Sequence, residues 1–222
     1  MAKAILIVFG PPGSGKDTQI NLLLQKTGWK KISTGELLRA ESVLKSKLGK
    51  QAKKCMDAGD LVLNKLLINL VIKKLKQKAK GFIFDGYPRN HGQLKDLLNM
   101  FKKYLKKSDK VLALLIDVSD KEVKQRLSQR RVCACGEVYH LKYNQPTSKN
   151  VCNICRKKLF IRDDDKPKII AHRLKIYRKN NKPIFDYWRN IGKLIKINGE
   201  QSIDKIHKDL IIELRKNEIL EK

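Results

Sequence analysis

The chain has 222 residues, and its 50 Lys and Arg against 22 Asp and Glu give it a formal net charge of +28. This length suits one well-packed domain with insertions, and the strong basic charge predicts attraction to polyanions such as nucleotides or nucleic acids. No apolar run approaches the roughly 20 residues that span a bilayer, which argues against an integral membrane protein. The short apolar run at residues 4–9 carries no secretory cleavage site, so we expect a cytoplasmic protein with reduced cysteines.

The first predicted elements are a strand, a glycine-rich loop and a helix. Residues 4–9 are apolar, residues 10–18 read GPPGSGKDT, and a helix follows. This order is typical of a P-loop, in which backbone N–H groups, the helix N-terminus and Lys16 face bound phosphates. An ordinary tight turn is the alternative, but it does not account for Lys16 directly after Gly15. The next residue is Asp17, and an acid there repels phosphates unless it points away or meets a cation.

Strands and helices alternate along the rest of the chain. Strands are predicted at 29–33, 81–86, 111–117 and 194–198, and helices at 36–45, 50–58, 63–78, 93–104, 120–131, 168–189 and 203–214. We predict a turn at 60–62 and a kink or break of the long helix at Pro183. Residues 132–165 differ in composition and indicate a small inserted subdomain. The alternation predicts an α/β domain with a mostly parallel sheet, which binds ligands at the carboxyl ends of its strands.

Charged residues stand at the ends of several predicted elements. Asp85 closes an apolar strand, where P-loop enzymes use an acid to hold Mg²⁺ directly or through water; a cap of the turn before Gly86 is the alternative. Arginine suits phosphoryl oxygens because its planar fork meets two of them and stays charged. The arginines at element edges are Arg39, Arg89, Arg126, Arg130, Arg162 and Arg173.

Four of the five cysteines form two close pairs, Cys133 with Cys135 and Cys152 with Cys155. Two such pairs around a short β-like stretch predict a tetrahedral, structural zinc site of ribbon type. The second pair has C-x₂-C spacing, whereas the first is C-x-C and one residue short. Cys55 is expected to be an ordinary buried thiol in a helix.

Taken in order, these motifs resemble adenylate kinase, specifically the long bacterial type with a zinc-bearing lid. The resemblance covers residues 5–214 and rests on the P-loop, ISTGELLR at 32–39, MDAG at 56–59, DGYPR at 85–89, Gln93, RRVC at 130–133, VYH at 138–140 and RDDD at 162–165. It implies a P-loop NTPase-type parallel sheet of five strands, flanked by helices, with core residues 1–32, 63–128 and 166–222. It also implies a helical NMP-binding insertion at 33–62 and a small β-rich, zinc-ribbon-like lid at 129–165.

The resemblance also implies a reaction, Mg·ATP + AMP ⇌ 2 ADP by in-line transfer, and a monomeric enzyme. The residues implied to bind ATP are Gly13, Ser14, Gly15, Lys16, Asp17, Thr18, Arg126, Arg130, Val138, Tyr139, His140 and Gln201. Those implied to bind AMP are Thr34, Arg39, Asp60, Leu61, Val62, Gly86, Tyr87, Pro88, Arg89, Gln93, Arg162 and Arg173. Those implied in catalysis are Lys16, Asp85, Arg89, Arg130, Arg162 and Arg173, with Asp85 ordering the Mg²⁺ shell. The structural Zn²⁺ would lie between Cys133, Cys135, Cys152 and Cys155.

Three departures from the family pattern stand out. Asp17 replaces the usual Gly, the first cysteine pair is C-x-C, and Ala171 stands where many relatives carry Arg.

Other substrate specificities stay open. A related kinase would accept UMP or CMP, although Thr34 argues for AMP because pyrimidine-specific relatives usually carry Ala there. A GTP-preferring donor site is also possible, although such relatives usually lack the lid cysteines.

A basic zinc-ribbon protein that binds nucleic acid is an alternative from another class. It predicts basic residues on one face with interleaved aromatics, but aromatics make up 6% of the chain and the lysines are dispersed. We therefore expect no dedicated nucleic-acid partner.

Overall fold

A parallel sheet of five strands forms the centre of the protein in this computed structural model, which describes residues 2–43, 47–58 and 64–220. In chain order the strands are β1 (Ala4–Phe9), β2 (Lys30–Ser33), β3 (Gly81–Asp85), β4 (Lys110–Asp117), β5 (Arg130–Val132), β6 (Val138–His140) and β7 (Leu194–Asn198). The central sheet has the order β2-β3-β1-β4-β7, and all its pairs are parallel. The predicted fold class, an α/β domain with a five-stranded parallel sheet, is therefore confirmed.

Helices connect the strands. They are α1 (Lys16–Thr27), α2 (Thr34–Val43), α3 (Lys47–Ala58), α4 (Asn64–Leu75), α5 (His91–Tyr104), α6 (Asp120–Ser128), α7 (Pro167–Asn190) and α8 (Ile203–Lys216). Helix α6 ends three residues before the predicted end because Arg130–Val132 instead pairs antiparallel with β6. The turn predicted at 60–62 lies outside the described residues.

Helix α7 runs without interruption through Pro183, so of the predicted kink or break the break does not occur. Proline removes one backbone hydrogen bond and its ring crowds the preceding turn, which costs about 3 kcal/mol in a helix interior. The residues that follow it outweigh this cost by packing, because Ile184 and Trp188 are both buried in the core. Tertiary burial here overrides the local preference of the sequence.

The helices cover both faces of the central sheet. On one face, β-strand side chains such as Leu6 and Leu114 pack against α1, α6 and α8. On the other, side chains such as Ile5 and Phe84 pack against α4, α5 and the second half of α7. Burial on both faces explains why β1 is apolar at nearly every position.

Two smaller units have clusters of their own. Leu38, Ala52 and Leu67 form a small core between α2, α3 and α4. Strands β5 and β6 and the chain after them surround a second cluster of Cys133, Tyr139, Cys152 and Leu159. Helix α3 lies against the 3-10 turn Asp163–Asp165, so the two units meet above the sheet. Among the helices that the structure describes, none is both long enough and apolar enough to cross a lipid bilayer.

Candidate active site

The glycine-rich loop joins β1 to α1 in the conformation that a phosphate-binding loop requires. Gly13 and Gly15 have φ angles of 75° and 87°, in the left-handed region that favours glycine. Ser14 N–H donates to the Pro11 carbonyl, which closes the turn. Gly15 is the N-cap of α1 and carries no side chain that could occupy the first helical N–H groups. These donors and the helix dipole therefore remain available to an anion beside Lys16.

The ends of β2 and β3 place polar groups next to this loop. Asp85 is 5% exposed, and its Oδ2 accepts a 2.8 Å hydrogen bond from Ser33 Oγ. Its Oδ1 is buried without a hydrogen-bond partner among the described residues. Burial and then the negative charge of Asp17 raise the pKa of Asp85, although Lys16 and Lys31 oppose this. A buried carboxylate oxygen with an unused lone pair beside a phosphate loop fits the outer shell or first shell of Mg²⁺.

The chain after β3 forms a second polar surface. Thr34 Oγ1 donates to the Gly86 carbonyl over 2.9 Å, and Arg89 Nε donates to the same carbonyl over 2.6 Å. Gln93 Oε1 accepts from Arg89 N–H, whereas Gln93 Nε2 is buried without a partner among the described residues. Burial lowers the pKa of Arg89. Arg89 as a whole stays exposed, so the arrangement leaves a buried amide donor and an accessible guanidinium, which suit the base and phosphate of a nucleotide.

Arginines from the start of β5 and from α7 gather around two carboxylates. Arg130 makes a bidentate pair with Asp165 at 2.7 and 2.5 Å. Arg173 Nη1 lies 2.9 Å from Asp164 Oδ2 and 3.5 Å from Asp165 Oδ1, and Arg162 also pairs with Asp164 at 2.8 Å. Burial is the first cause that lowers the pKa of Arg173, to about 10, and the charge of Arg130 adds to it. Three guanidinium groups thus share two acids, so the cluster retains positive charge.

One cavity brings the loop, the β3–α5 connection and α7 together. Its lining includes Lys16, Arg89 and Arg173, with Asn181 and the aromatic ring of Tyr177 on the α7 side. Cations from three separated parts of the chain therefore face a common space. Such a convergence is what transfer of a phosphoryl group requires, since it depends on positioning and on neutralising charge on oxygen atoms.

Arg39 stands on α2 at the edge of the same site. Burial and then the positive charge of Arg162 lower its pKa, so the two guanidinium groups lie within reach of each other's charge. Two like charges held close together, with Asp164 near both, are stabilised further by an additional anion.

Comparison with known proteins agrees with a site for phosphoryl transfer. A family model described as adenylate kinase matches residues 8–193. The chain belongs to the adenylate kinase family. It is 42% identical over 211 residues to an adenylate kinase of Petrotoga mobilis, covering 95% of this chain and 97% of that protein. It is 41% identical to an adenylate kinase of Methanothrix thermoacetophila and 40% identical to one of Archaeoglobus fulgidus, each over 92% of this chain and 95% of the relative.

A second group of predicted residues lies where α6, β6 and the end of β7 meet. Arg126 donates to the carbonyls of Ser14 and Gly199, at 3.4 and 2.9 Å, and so connects the P-loop to the chain after β7. Gln201 donates to the Asn198 carbonyl nearby. Val138 and Thr18 are exposed, on β6 and α1 respectively.

His140 lies close to Arg126. Burial and then the charge of Arg126 lower the pKa of His140, so the ring is neutral at pH 7. The ring stacks on Tyr143 at 4.7 Å between centroids, and the Arg126 guanidinium lies 6.0 Å from the Tyr143 ring. Tyr143 was missed by the sequence analysis, although an aromatic residue three positions after a predicted site histidine could have indicated it.

Two predicted residues point away from the cleft. The Tyr139 hydroxyl lies 3.5 Å from Cys152 Sγ and accepts from Asn153 N–H, so this side chain belongs to the cysteine cluster. Tyr87 is fully buried in the core beneath the site. Only the backbone of these two residues remains to face a nucleotide. Asp60, Leu61 and Val62 lie outside the described residues, and Pro88 lines the cavity beside Arg89.

The four cysteines of the two pairs converge, with all four sulfur atoms within 4.8 Å of one another. Cys133 Sγ lies 3.2 Å from Cys155 Sγ, and Cys135 Sγ lies 3.7 Å from Cys152 Sγ. Zn–S bonds of about 2.3 Å in a tetrahedron place sulfurs about 3.8 Å apart, so the donor set fits zinc. Cys55 lies in α3, outside this cluster.

The two cysteine turns differ by one residue and still present sulfur to the same point. In the first, Gly136 N–H donates to the Cys133 carbonyl, and Gly136 has a φ of 98°. In the second, Arg156 N–H donates to the Cys152 carbonyl, and Arg156 has a φ of 59°. Each turn therefore closes with one left-handed residue after its second cysteine, and C-x-C spacing does not prevent convergence.

Lys31 is the site residue that the sequence analysis missed most clearly. Its Nζ lies among three carboxylates from three different elements. A lysine on a strand edge has no local signal that distinguishes it from the many other lysines of this chain.

Proposed function

We propose that this protein transfers the terminal phosphoryl group of Mg·ATP to AMP, giving two molecules of ADP. The observation that carries this proposal is the cavity into which Lys16, Arg89 and Arg173 converge. Its cations come from the P-loop, from the connection after β3 and from α7, so the cavity borders both proposed nucleotide sites. The names of the relatives, all adenylate kinases, support the same reaction.

ATP would lie along the P-loop and under Arg126. The N–H groups at the start of α1 and Lys16 would hold its phosphates, with Arg130 on the opposite side. His140 and Tyr143 lie beside Arg126. Their stacked rings offer an apolar surface next to a cation, which suits an adenosine.

AMP would lie on the other side of the cavity. The buried Gln93 Nε2 is available as a donor to the base, and Arg89 and Arg39 are placed for the phosphate. Thr34 closes this side by its bond to the Gly86 carbonyl. Arg162 and Arg173 would bridge the two phosphate chains, because both lie beside Asp164 between the two sides.

Asp85 would order a Mg²⁺ ion that arrives with ATP. When bound there, such an ion would supply neutralisation of the charge on the phosphoryl oxygens. The protein's own part is positioning: the loop amides, Lys16 and the arginines hold the two nucleotides in line, and no covalent intermediate with the enzyme is needed.

Two mobile units would exclude water, an NMP-binding insertion at 33–62 and a lid at 129–165. The cluster around Cys133 supports the lid, because all its members fall within 129–165, and the cluster around Leu38 supports an insertion that packs on α4 through Leu67. A lid of this size buries too little apolar surface to be stable alone. We propose that a structural Zn²⁺ between Cys133, Cys135, Cys152 and Cys155 stabilises it.

We further infer that the enzyme acts as a monomer in the cytoplasm. The resemblance to adenylate kinases implies a monomer, and free cysteines grouped as metal ligands are typical of a reducing compartment. Sedimentation of the purified protein tests the first inference.

The test of function is a steady-state assay of ADP formation with Mg·ATP and a panel of AMP, UMP, CMP and GMP, run beside Lys16→Met. The proposal is supported if AMP is the one acceptor of the panel that is phosphorylated, and if Lys16→Met reduces this turnover by about 10²-fold or more. Turnover with UMP or CMP would move the acceptor to a pyrimidine. No turnover with any acceptor, in folded and zinc-loaded protein, would overturn it.

A further inference from the structure

The cleft contains a lysine whose surroundings differ from those of the other cations at the site. Lys31 Nζ lies 2.6 Å from Glu36 Oε1, 3.7 Å from Asp17 Oδ1 and 3.8 Å from Asp85 Oδ2. These carboxylates belong to α2, α1 and the end of β3. The Lys31 side chain is only 15% exposed, so its charge is partly desolvated and its effect on neighbouring charges is strong.

Asp17 is the residue that makes such a cation necessary. It follows Lys16 directly, in the first turn of α1, where the phosphates of a nucleotide would bind. Its side chain is 55% exposed and faces the cleft beside Asp85. An uncompensated carboxylate at this point would repel a polyphosphate, and it would also repel Asp85.

The charges around Asp17 show how this repulsion is removed. Desolvation raises the pKa of Asp17, but the charges of Lys16 and Lys31, a hydrogen bond with Asp85 and the charge of Arg130 together hold it well below its usual range. Asp17 is therefore a carboxylate at neutral pH. Of its cationic neighbours, Lys16 follows Asp17 directly in the phosphate loop and Arg130 already pairs with Asp165, whereas Lys31 lies between Asp17, Glu36 and Asp85.

We propose that Lys31 is a positioning residue that neutralises Asp17, and that this pair lets an acidic P-loop bind Mg·ATP. Lys31 offsets the charge of the Asp17 carboxylate from the side of Glu36 and Asp85, so that Lys16 does not have to do so and can meet phosphate. The inference rests on the proposed function. It concerns the two positions as a unit: an acid within the P-loop is compatible with ATP only while the cation on β2 is present.

The test is a double-mutant cycle of Lys31→Gln, Asp17→Gly and the double variant. We expect Lys31→Gln to raise the KM for Mg·ATP by about tenfold or more, because the unpaired Asp17 then faces the phosphates. Asp17→Gly alone is expected to lower this KM, since it leaves a surplus cation. The double variant is expected to return to within about threefold of the wild type, which shows that the two positions are coupled.

Lys30→Gln is the matched control. Lys30 is the preceding residue of β2, it is exposed, and its Nζ lies 3.3 Å from Gln77, away from the P-loop. We expect no change in the KM for Mg·ATP from this variant. Lys31→Arg is expected to restore most of the loss, since it keeps the charge.

Salt separates this role from a merely structural one. The Lys31→Gln defect is expected to shrink between about 20 mM and 500 mM KCl, because repulsion from a half-exposed carboxylate is screened. A packing defect would not respond to salt in this way. The proposal is overturned if the double variant is as impaired as Lys31→Gln, or if Lys31→Gln binds Mg·ATP as tightly as the wild type.

Equilibrium binding of Mg·ATP by calorimetry, without an acceptor, makes the two proposals distinguishable. If no acceptor is phosphorylated but the cycle shows the expected coupling in binding, the proposed function fails and this inference holds. If AMP is phosphorylated and the cycle is additive, the inference fails alone.

Discussion

Asp165 is the acid whose removal is expected to cost the protein most stability. Its side chain is 1% exposed, and it accepts two hydrogen bonds from Arg130, at 2.7 and 2.5 Å. Arg173 Nη1 lies 3.5 Å from the same carboxylate. Asp165→Asn keeps the shape of the side chain but removes its charge and turns an N–H₂ group toward a guanidinium.

The magnitude follows from these contacts. Hydrogen bonds to charged groups contribute roughly 1.5–3 kcal/mol each, and breaking a buried ion pair from one side costs about 3–5 kcal/mol. Arg130 is 14% exposed and regains some hydration, so we take the lower value, about 3 kcal/mol. For a chain of this length that corresponds to a fall in Tm of about 6–12 °C.

The assay is thermal and urea unfolding of zinc-loaded protein without nucleotide, with Asp163→Asn as control. Asp163 lies in the same turn, is 74% exposed and pairs with the exposed Lys166, so its loss is expected to cost less than about 0.5 kcal/mol. Saturating Mg·ATP is expected to recover part of the Asp165→Asn loss, because phosphates supply new anionic partners. A loss below about 1 kcal/mol, or one equal to that of the control, would refute the reasoning about burial.

Four further outcomes are expected. Gln93→Ala raises the KM for AMP by about tenfold and leaves that for Mg·ATP nearly unchanged in steady-state assays, because its Nε2, unpaired among the described residues, is proposed to bind the AMP base. Tyr143→Ala raises the KM for Mg·ATP severalfold, with no change for AMP. Cys135→Ser protein holds almost no zinc by elemental analysis, whereas Cys55→Ser retains it. Burial lowers the pKa of His140 below its usual 6.5, so as the pH falls the unfolded chain protonates this histidine before the folded chain does. The wild type therefore loses stability as the pH falls. His140→Gln lacks this loss and is expected to gain stability relative to the wild type between pH 7.5 and about 5.5 in urea titrations.

Features that depend on consecutive residues could be predicted from the sequence. The P-loop needs glycines at the two left-handed positions and a helix directly after them, and both requirements are met within ten residues. The alternation of apolar runs with helical patterns indicated the parallel sheet in the same way. The four lid cysteines were assigned to one site by their spacing, and the structure brings their sulfurs together.

Features that depend on packing between distant segments could not be predicted. Pro183 predicted a kink or a break in α7, but the helix is not broken, because Ile184 and Trp188 are buried against the sheet. Tyr139 and Tyr143 have similar surroundings in sequence, yet one packs on the cysteines and the other stacks on His140.

The sequence by itself determined that this is a P-loop protein of α/β class with a cysteine-bearing insertion, because those properties are encoded in local backbone preference and in spacing. Only the tertiary structure decided which cations share a space. Asp17 and Lys31 lie on different elements, and nothing near either residue shows that they meet; they do so because β2 and β1 flank β3 in one parallel register. Long-range electrostatic pairing is set by strand order and helix packing, and these depend on the whole core rather than on any one segment.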